Sequence, residues 1–405
     1  MKDERPLLAF VSPVFLFPND AGGKIRTTNI LRGLKGGKFR LRLLAPATSA
    51  QTLGWQSQID SICDEFVPWK PTRPKPRWLR ALDLIGPVPV NIAADKTAPA
   101  LAAVQALADG GGADLVVFDF VHAHVLRPAR LRGKKVCFTH NVEAEIFARH
   151  AQQAPDAARR WMWTSQHRKM VRYESEALRQ YDRVVAVSER DAQHFRDAYG
   201  VQQAHPIPTG VDLDQFEWKL PPDEGPPTVV FSGSMDSPAN IGGVQYFISQ
   251  VWPQVTAQMP SARFIVVGRK PPSALVAAGR RAANVEFTGY VDDVRPYVRR
   301  SQVSVIPLLV GGGTRIKAYE AMAMGSPVVS TAVGIEGLAL TQGQHYLGGD
   351  EAGAFADAVL LMLGDRAARE ELSRRARALV ESQFGHRVAA QVFEAICWQA
   401  LKEAS

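Results

Sequence analysis

Paired cysteines and long apolar runs are both missing from this sequence. Its three cysteines, Cys63, Cys137 and Cys397, lie far apart and form no CxxC pair. This spacing argues against a disulfide framework or a structural zinc site, and it favours a reducing compartment. The sequence has no stretch of about 18 apolar residues, and its N-terminal MKDERPLLAF does not have the form of a signal peptide. We therefore expect a cytoplasmic protein without a transmembrane helix.

Composition and net charge indicate which kinds of molecule the protein is expected to bind. The chain has 405 residues, of which 46% are hydrophobic and 22% charged, and its formal net charge is +8. The length predicts two or three domains, each with its own core. The positive excess favours phosphate groups or an anionic membrane surface. We expect no nucleic-acid partner, because no binding motif appears and aromatic residues are not interleaved with the basic ones.

Short apolar runs alternate with helical patterns along the whole chain. This alternation predicts βαβ units and an α/β fold with two doubly wound, Rossmann-like domains. We assign residues 1–215 to the first domain and 216–386 to the second, and we expect the helical segment 387–405 to pack back on the first. The predicted strands are Leu7–Val11, Leu41–Ala45, Leu115–Phe118, Val136–Thr139, Val184–Val187, Val229–Gly233, Phe264–Gly268, Val285–Thr288, Val303–Pro307 and Val328–Thr331.

The strongest chemical signal is the run GGGTRIKAYE at positions 311–320. It follows a predicted strand and opens a helix, so its glycines would let the backbone approach an anion at a helix N-terminus. Cations in a first helical turn are electrostatically misplaced unless an anion binds there. Glu320 could accept hydrogen bonds from sugar hydroxyls. The phosphate site would comprise Gly312, Gly313, Thr314, Arg315 and Lys317. A solvated Gly-rich loop is the alternative.

Polar residues also follow predicted strands of the first domain. Gly22 and Gly23 open a helix after the first strand, in a loop that matches neither GxxxxGK[ST] nor GxGxxG. This loop is either a tight turn or the other side of a diphosphate site. Asp119, His140 and Asn141 come at the ends of two other strands. We expect them to orient an acceptor or to support a developing charge, although His140 could instead be satisfied by nearby backbone.

Longer motifs connect these features to a known family. The chain carries, in order, DRVVAVSERD, PTGVDLDQF, FSGSMDSPANIGGVQYF, VEFTGYVDD and GGGTRIKAYEAMAMGSPVVST. Together they resemble retaining glycosyltransferases of the GT-B fold, of the group 1 or family 4 type, and most closely bacterial sugar transferases associated with exopolysaccharide clusters. The resemblance covers nearly the whole chain. It implies two Rossmann-like domains facing across a cleft, the first binding an acceptor and the second a nucleotide sugar.

The resemblance also implies roles for individual residues. Glu320 matches the second Glu of the family's E-x7-E motif, which binds the donor ribose, whereas Gly312 stands where the first Glu is expected. His140 matches a family histidine near the acceptor and the scissile bond, so we predict that it is catalytic. Backbone groups around Gly289 and Tyr290 are expected to recognise the base of the donor.

The diphosphate-binding residues depart from the family pattern. The family's Arg and Lys are expected near Ser234 and Ala239, and neither of these is basic. We predict that Arg315 and Lys317 take over this task and are catalytic. The resemblance implies transfer without a metal ion. The pair Asp212–Asp214 has the form of a DxD metal motif but is not beside a phosphate loop, so we predict no metal site.

The expected function is transfer of a sugar, with retention, from a nucleotide-diphosphate sugar to a lipid-linked or saccharide acceptor. No cofactor is expected. An epimerase or hydrolase on the same fold is one alternative. A non-catalytic scaffold for polysaccharide assembly is another, which the departures at Gly312, Ser234 and Ala239 would fit.

Two basic segments of the first domain contain tryptophan, at positions 73–80 and 159–172. Basic residues with Trp are typical of a lipid-headgroup interface, so we expect reversible contact with an anionic membrane. The alternative is a solvated helix whose tryptophans pack on their own domain.

Overall fold

The structure consists of two compact units. The computed structural model describes residues 4–19, 21–72, 76, 83–84, 86–110, 112–152, 154, 156–220, 225–310 and 316–403. The N-terminal unit comprises Met1–Gly210 with His386–Ser405, and the C-terminal unit comprises Val211–Gly385. Each unit contains a parallel sheet with helical connections, which confirms the predicted α/β class.

Within the described residues, the sheet of the N-terminal unit has seven parallel strands in the order β3-β2-β1-β4-β5-β6-β7. They are β1 (Leu7–Val11), β2 (Arg40–Pro46), β3 (Glu65–Trp69), β4 (Leu115–Asp119), β5 (Lys134–Phe138), β6 (Arg183–Ala186) and β7 (Ala204–Pro206). The strand order reverses between β1 and β4, and ligands bind at the carboxyl edge of such a switch point. Every residue of β1 is buried, because a parallel sheet is covered on both faces.

The apolar patterns miss β3 and β7. β3 is an edge strand whose first four residues are at least partly exposed, and it contains Pro68, which an edge tolerates. β7 has only three residues. Neither strand has the continuous apolar run by which buried strands are recognised.

The C-terminal unit repeats this architecture. Its described sheet has six parallel strands in the order β10-β9-β8-β11-β12-β13, with the reversal between β8 and β11. The strands are β8 (Thr228–Ser232), β9 (Arg263–Val267), β10 (Val285–Gly289), β11 (Val303–Ile306), β12 (Val328–Ser330) and β13 (Leu347–Gly348). The apolar patterns predict all of these except β13, which has two residues.

Most of the helices connect successive strands, and the last three follow β13. The helices are α1 (Gly22–Leu34), α2 (Ser49–Gly54), α3 (Gln56–Asp60), α4 (Val90–Asp95), α5 (Ala98–Asp109), α6 (Glu143–Gln152), α7 (Ala157–Leu178), α8 (Glu189–Tyr199), α9 (Pro238–Tyr246), α10 (Trp252–Gln258), α11 (Ser273–Arg281), α12 (Arg295–Arg299), α13 (Ile316–Ala323), α14 (Ala352–Gly364), α15 (Arg366–Leu379) and α16 (His386–Lys402). Among the residues that the structure describes, none of the helices is both long and apolar enough to cross a bilayer.

The C-terminal helix α16 packs against α1 in the core of the N-terminal unit. A Cβ added at Gly33 would lie 2.3 Å from the Ala390 methyl, so the missing side chain lets the two helices approach closely. The Phe393 ring contacts the rings of Phe10 and Phe138, with centroid distances of 6.4 and 5.1 Å. α16 therefore completes the hydrophobic core beneath β1 and β5.

A buried carboxylate joins α6 to α7. Glu174 of α7 accepts hydrogen bonds from the backbone N–H groups of Glu143 and Ala144, at 2.9 and 3.2 Å, and from the Tyr199 hydroxyl at 3.0 Å. Burial raises the pKa of Glu174 to about 7, although these hydrogen bonds oppose the shift. The side chain satisfies two N–H groups that the first turn of α6 cannot bond internally.

Candidate functional site

A buried carboxylate ties together three elements at the carboxyl edge of the N-terminal sheet. Asp119 ends β4 and is fully buried. Its Oδ2 accepts a hydrogen bond from Ser12 Oγ at 3.0 Å, and Thr27 Oγ1 lies 3.0 and 3.1 Å from its two oxygens. His140 Nε2 lies 2.8 Å from Asp119 Oδ1. Because Ser12 follows β1, Thr27 belongs to α1 and His140 follows β5, the carboxylate fixes their relative positions.

His140 is a buried, neutral histidine in this network. Its side chain is bound by side chains, not by backbone, and Arg26 Nη1 lies 3.5 Å from its Nδ1. The contact with the Asp119 carboxylate assigns the hydrogen to Nε2 and leaves Nδ1 as an acceptor. Burial lowers the pKa of His140, and the Asp119 carboxylate only partly offsets this. The neighbouring Asn141 is exposed. The catalytic role of His140 stays a prediction.

The predicted Gly22–Gly23 pair opens α1 beside His140. The ring of Phe120 stacks on the His140 ring at a centroid distance of 3.9 Å. A Cβ added at Gly23 would lie 2.6 Å from the tip of the Phe120 ring, so the glycine makes room for this stack. Gly22 faces open space, and the N-cap Ala21 offers no side-chain hydrogen bond to the first turn. The first-turn amides of α1 are therefore not capped by a side chain at the N-cap.

A second polar cluster at this edge is not apparent from the sequence. His122 Nδ1 lies 3.3 Å from Asp95 Oδ2, and His122 Nε2 lies 3.3 Å from Glu143 Oε2 and 3.2 Å from Asn91 Nδ2. Burial opposes a charged His122, but the hydrogen bonds to Asp95 and Glu143 outweigh it and raise the pKa to about 9. The imidazolium therefore bridges two carboxylates, which come from separate elements and share no local motif.

In the C-terminal unit, Lys317 contacts residues of β8 and α9, on either side of the turn that follows β8. Lys317 Nζ lies 3.1 Å from Asn240 Oδ1 and 4.3 Å from the centre of the Phe231 ring. The Asn240 amide in turn donates to the backbone oxygen of Ser234 at 2.9 Å. The ammonium group is thus held beside the turn where the family pattern predicts a cation.

Glu320 lies one turn after Lys317 on α13 and is partly exposed. Burial raises its pKa to about 7, and the charge of Lys317 opposes this shift. The carboxyl group is therefore close to half-ionised at neutral pH, and a ligand that donates hydrogen bonds to it would favour the ionised form. The other predicted residues of this loop, Gly312, Gly313, Thr314 and Arg315, lie outside the described residues.

Arg269, which is not among the residues predicted from the sequence, contacts the same turn after β8. It follows β9, and its Nε donates to Ser234 Oγ at 3.0 Å. Ser234 Oγ donates to Asp236 Oδ1 at 2.7 Å, and Arg269 Nη2 lies 3.7 Å from Asp236 Oδ2. The sequence feature that could have identified Arg269 is the basic pair Arg269–Lys270, which directly follows a predicted strand.

The remaining predicted residues are placed as follows. Gly289 is the last residue of β10, and the Tyr290 side chain is 72% exposed. Their role in base recognition stays a prediction. Asp212 Oδ1 accepts hydrogen bonds from the backbone N–H groups of Asp214 and Gln215, at 3.1 and 2.9 Å, which gives the DxD aspartate a role in a local turn.

Family models cover most of both units. Residues 22–215 match the model described as Glycosyltransferase Family 4, and residues 226–365 match Glycosyl transferases group 1. The chain belongs to these glycosyltransferases. The family predicted from the motifs is confirmed.

The curated relatives share 30% or less of their sequence with this chain over the matched regions. Phosphatidyl-myo-inositol mannosyltransferase of Mycobacterium tuberculosis is 30% identical over 220 residues, which cover 51% of this chain and 57% of the relative. An uncharacterized 44.6 kDa protein in the cps region of Klebsiella pneumoniae is 21% identical over 163 residues, or 38% of this chain and 42% of the relative. The chain thus matches about half the length of these relatives.

Solved structures confirm the fold of the glycosyltransferase. Sucrose-phosphate synthase from Thermosynechococcus elongatus has a TM-score of 0.66 and 18% identity, covering 98% of this chain and 99% of that one. Anabaena Alr3699/HepE in complex with UDP-glucose has a TM-score of 0.64 and 16% identity, covering 96% and 99%. The two Rossmann-like units are those of the GT-B fold, as the resemblance implies.

The Asp119 network yields a prediction about stability. In Asp119→Ala, the hydroxyls of Ser12 and Thr27 and the N–H of His140 lose a buried acceptor. Each unsatisfied buried group costs about 1–3 kcal/mol, so we expect the free energy of unfolding to fall by about 3 kcal/mol or more. Urea denaturation followed by circular dichroism measures this.

The matched control for this variant is Asp197→Ala. Asp197 is an exposed carboxylate that accepts a hydrogen bond from Gln193 at 2.7 Å. We expect its loss to change the free energy of unfolding by less than about 0.5 kcal/mol. A change in Asp119→Ala as small as this would contradict the structural role of the network.

Proposed function

We propose that this glycosyltransferase moves a sugar from a nucleotide-diphosphate sugar to a lipid-linked or saccharide acceptor, with retention and without a metal ion. The observation that carries the proposal is the chain of contacts from Lys317 through Asn240 to Ser234, with Glu320 one turn further along α13. A fixed cation and a carboxylate then lie at the edge of a Rossmann-like sheet where nucleotides bind. The UDP-glucose complex of a structural neighbour supports a nucleotide-sugar donor.

The chemistry needs positive charge more than it needs a nucleophile. Breaking the anomeric bond leaves negative charge on the departing diphosphate, and a pre-positioned cation lowers the barrier to that step. Lys317 suits this task because a neutral amide and an aromatic face are among the groups that orient its ammonium. We assign Glu320 to the ribose hydroxyls and Lys317 to the diphosphate.

On the acceptor side we assign different roles to the predicted residues. Asp119 is fully buried, so it positions His140 and does not contact the acceptor. In the cluster around His122 at the same edge, Glu143 is buried, whereas the Asp95 carboxylate is partly exposed, and we assign Asp95 to accept hydrogen bonds from acceptor hydroxyls. The names of the relatives, a phosphatidyl-myo-inositol mannosyltransferase and a cps-region protein, support a lipid-linked acceptor and a role in exopolysaccharide biosynthesis.

The direct test is turnover of a panel of UDP-, GDP-, ADP- and dTDP-sugars by the full chain, with and without a bacterial lipid extract. We expect release of nucleoside diphosphate that depends on the extract, persists in EDTA and gives a product with the donor's anomeric configuration by NMR. Lys317→Ala should lower turnover on the order of 10²–10³-fold, because it removes charge stabilisation of the leaving group.

The control for this assay is Arg281→Ala. Arg281 is exposed at the end of α11, immediately before β10 begins, and therefore at the opposite edge of the sheet. Its loss should leave turnover unchanged. Hydrolysis that ignores the acceptor would identify a hydrolase, and conversion of the donor to an isomeric sugar would identify an epimerase. The absence of any turnover would favour a non-catalytic scaffold.

Glu320 makes donor binding pH-dependent in a predictable direction. Hydrogen bonds from ribose hydroxyls stabilise the ionised carboxylate, and the native pKa is about 7 before the ligand binds. A nucleotide sugar has no phosphate that titrates between pH 6 and 8. We therefore expect its affinity to be about tenfold higher at pH 8 than at pH 6. Isothermal titration calorimetry measures both the affinity and the proton released.

Glu320→Gln is the decisive variant for this effect, because an amide can still meet hydroxyls but cannot titrate. We expect its donor affinity to be nearly flat from pH 6 to 8. Glu174 titrates in the same range but lies in the N-terminal unit, and the Gln variant at position 320 leaves it intact. A wild-type profile that survives in Glu320→Gln would remove Glu320 from the donor site.

We also propose that the protein works at the cytoplasmic face of the membrane, through one surface of α7. Arg160, Trp161 and Arg168 are exposed there, and the Trp161 side chain is 75% exposed. Trp163 does not share this surface, because it stacks on His150 at 4.7 Å. Of the other basic segment, 73–80, all but residue 76 lies outside the described residues.

Flotation of the full chain with anionic and with neutral liposomes tests this surface. Each basic residue near an anionic surface contributes about 1 kcal/mol, so Arg160→Glu/Arg168→Glu should weaken binding at least about tenfold. The charge-matched control is Arg280→Glu/Arg281→Glu in the C-terminal unit, which should bind like wild type. Equal binding of both double variants, or no binding to anionic liposomes at low salt, would refute the proposal.

A further inference from the structure

We propose that Arg269 is a donor-binding residue whose guanidinium binds the diphosphate of the nucleotide sugar. The inference rests on the proposed function, and it assigns a residue that neither the motifs nor the family resemblance identifies. Its basis is the way in which the C-terminal unit brings Arg269 to the turn after β8, next to the position reached by Lys317.

Backbone hydrogen bonds fix the position of the Arg269 main chain. Strand pairing between β8 and β9 continues past the strand ends, because Gly233 N–H donates to Val267 at 2.9 Å and Met235 N–H donates to Arg269 at 3.0 Å. A Cβ added at Gly268 would lie 1.9 Å from the Gly233 oxygen, so only glycine allows the two loops to run this close together. Arg269 is therefore held by the sheet and is not at the tip of a free loop.

The side chain then turns toward Ser234. Arg269 Nε donates to Ser234 Oγ at 3.0 Å, and the same hydroxyl donates to Asp236 Oδ1 at 2.7 Å. These contacts orient the guanidinium while its side chain stays 57% exposed. An arginine has five N–H donors in a planar fork, so one bond to Ser234 leaves donors for a phosphate.

The contact with Asp236 does not account for this arrangement. Arg269 Nη2 lies 3.7 Å from Asp236 Oδ2, and both side chains are largely exposed, at 57% and 44%. Exposed pairs of this kind contribute little to stability. Asp236 instead accepts the hydrogen bond that the Ser234 hydroxyl donates, which leaves the hydroxyl oxygen as the acceptor for Arg269.

A second cation, Lys317, lies beside the same turn. Lys317 binds Asn240, which donates to the backbone oxygen of Ser234, so one chain of hydrogen bonds joins Arg269 to Lys317 through residue 234. Two cations held beside one turn concentrate positive charge there, which favours the binding of an anion. A diphosphate carries the charge and the oxygen atoms that such a pair can bind.

The test is binding of UDP and GDP to the full chain by isothermal titration calorimetry. We expect Arg269→Ala to weaken binding of whichever nucleotide the wild type prefers on the order of 10- to 100-fold, as loss of a charged hydrogen bond does. Arg269→Lys should be intermediate, because it keeps the charge but not the fork. Binding of the corresponding nucleoside, which has no phosphate, should be the same in all variants.

Two further variants make the result specific. Arg280→Ala removes an exposed arginine from α11 and should bind like wild type. The double variant Ser234→Arg/Arg269→Ala places an arginine in the turn that the Arg269 side chain contacts in the wild type. We expect it to bind the nucleotide at least tenfold more tightly than Arg269→Ala alone. Unchanged melting temperatures show that the variants fold.

Two outcomes would overturn the inference in distinguishable ways. If the wild type binds a nucleoside diphosphate and Arg269→Ala binds it equally well, the role of Arg269 is wrong while the proposed donor stands. If the wild type binds neither UDP nor GDP, nor ADP or dTDP in the same assay, the proposed donor is wrong and the role of Arg269 is rejected with it.

Discussion

The buried carboxylate of Asp119 is the group on which the edge of the N-terminal sheet depends. Parallel strands bring their carboxyl ends to one edge, but they do not fix the loops that follow. Asp119 does so by accepting hydrogen bonds from residues after β1, in α1 and after β5. A fully buried carboxylate is expensive unless it is satisfied, so these loops have little freedom to move apart. The same constraint sets the ring orientation of His140, and through it the stack with Phe120.

In the C-terminal unit, the charged side chains of Arg269 and Lys317 are less buried than the carboxylate of Asp119. The contacts of these cations include a serine hydroxyl, an asparagine amide, an aromatic ring and, for Arg269, the exposed Asp236 carboxylate, and the cationic side chains remain partly or largely exposed. Groups of this kind orient a charged side chain at its surface-exposed end. That difference suits the donor-binding role proposed for this unit, because catalysis by electrostatic stabilisation requires a charge that is positioned before the substrate arrives. The fully buried Asp119 of the other unit instead fixes the positions of the residues that bond to it.

The sequence predicts the fold well because the fold rests on local patterns. Strands such as β1 and β9 are buried on both faces and therefore appear as apolar runs, whereas β3, β7 and β13 are short or lie at a sheet edge and leave no such pattern. The helix after the Gly-rich run, with Lys317 and Glu320, could be placed for the same reason. The contacts of Arg269 with Ser234 and of His122 with Asp95 could not, because they join residues from different strands and helices. They depend on strand order, which periodicity does not determine.

Arg269 also bears on whether a departure from a motif indicates a loss of activity. Ser234 and Ala239 lack the expected charge, and judged by sequence position alone they would favour a non-catalytic scaffold. The physical requirement, however, is positive charge at a point in space beside the turn after β8, and it does not depend on which element supplies that charge. In this chain Lys317 approaches the turn from α13 and Arg269 from the end of β9. Two neutral residues at the usual positions are therefore weak grounds for a scaffold, because the charge they lack is present a few ångströms away.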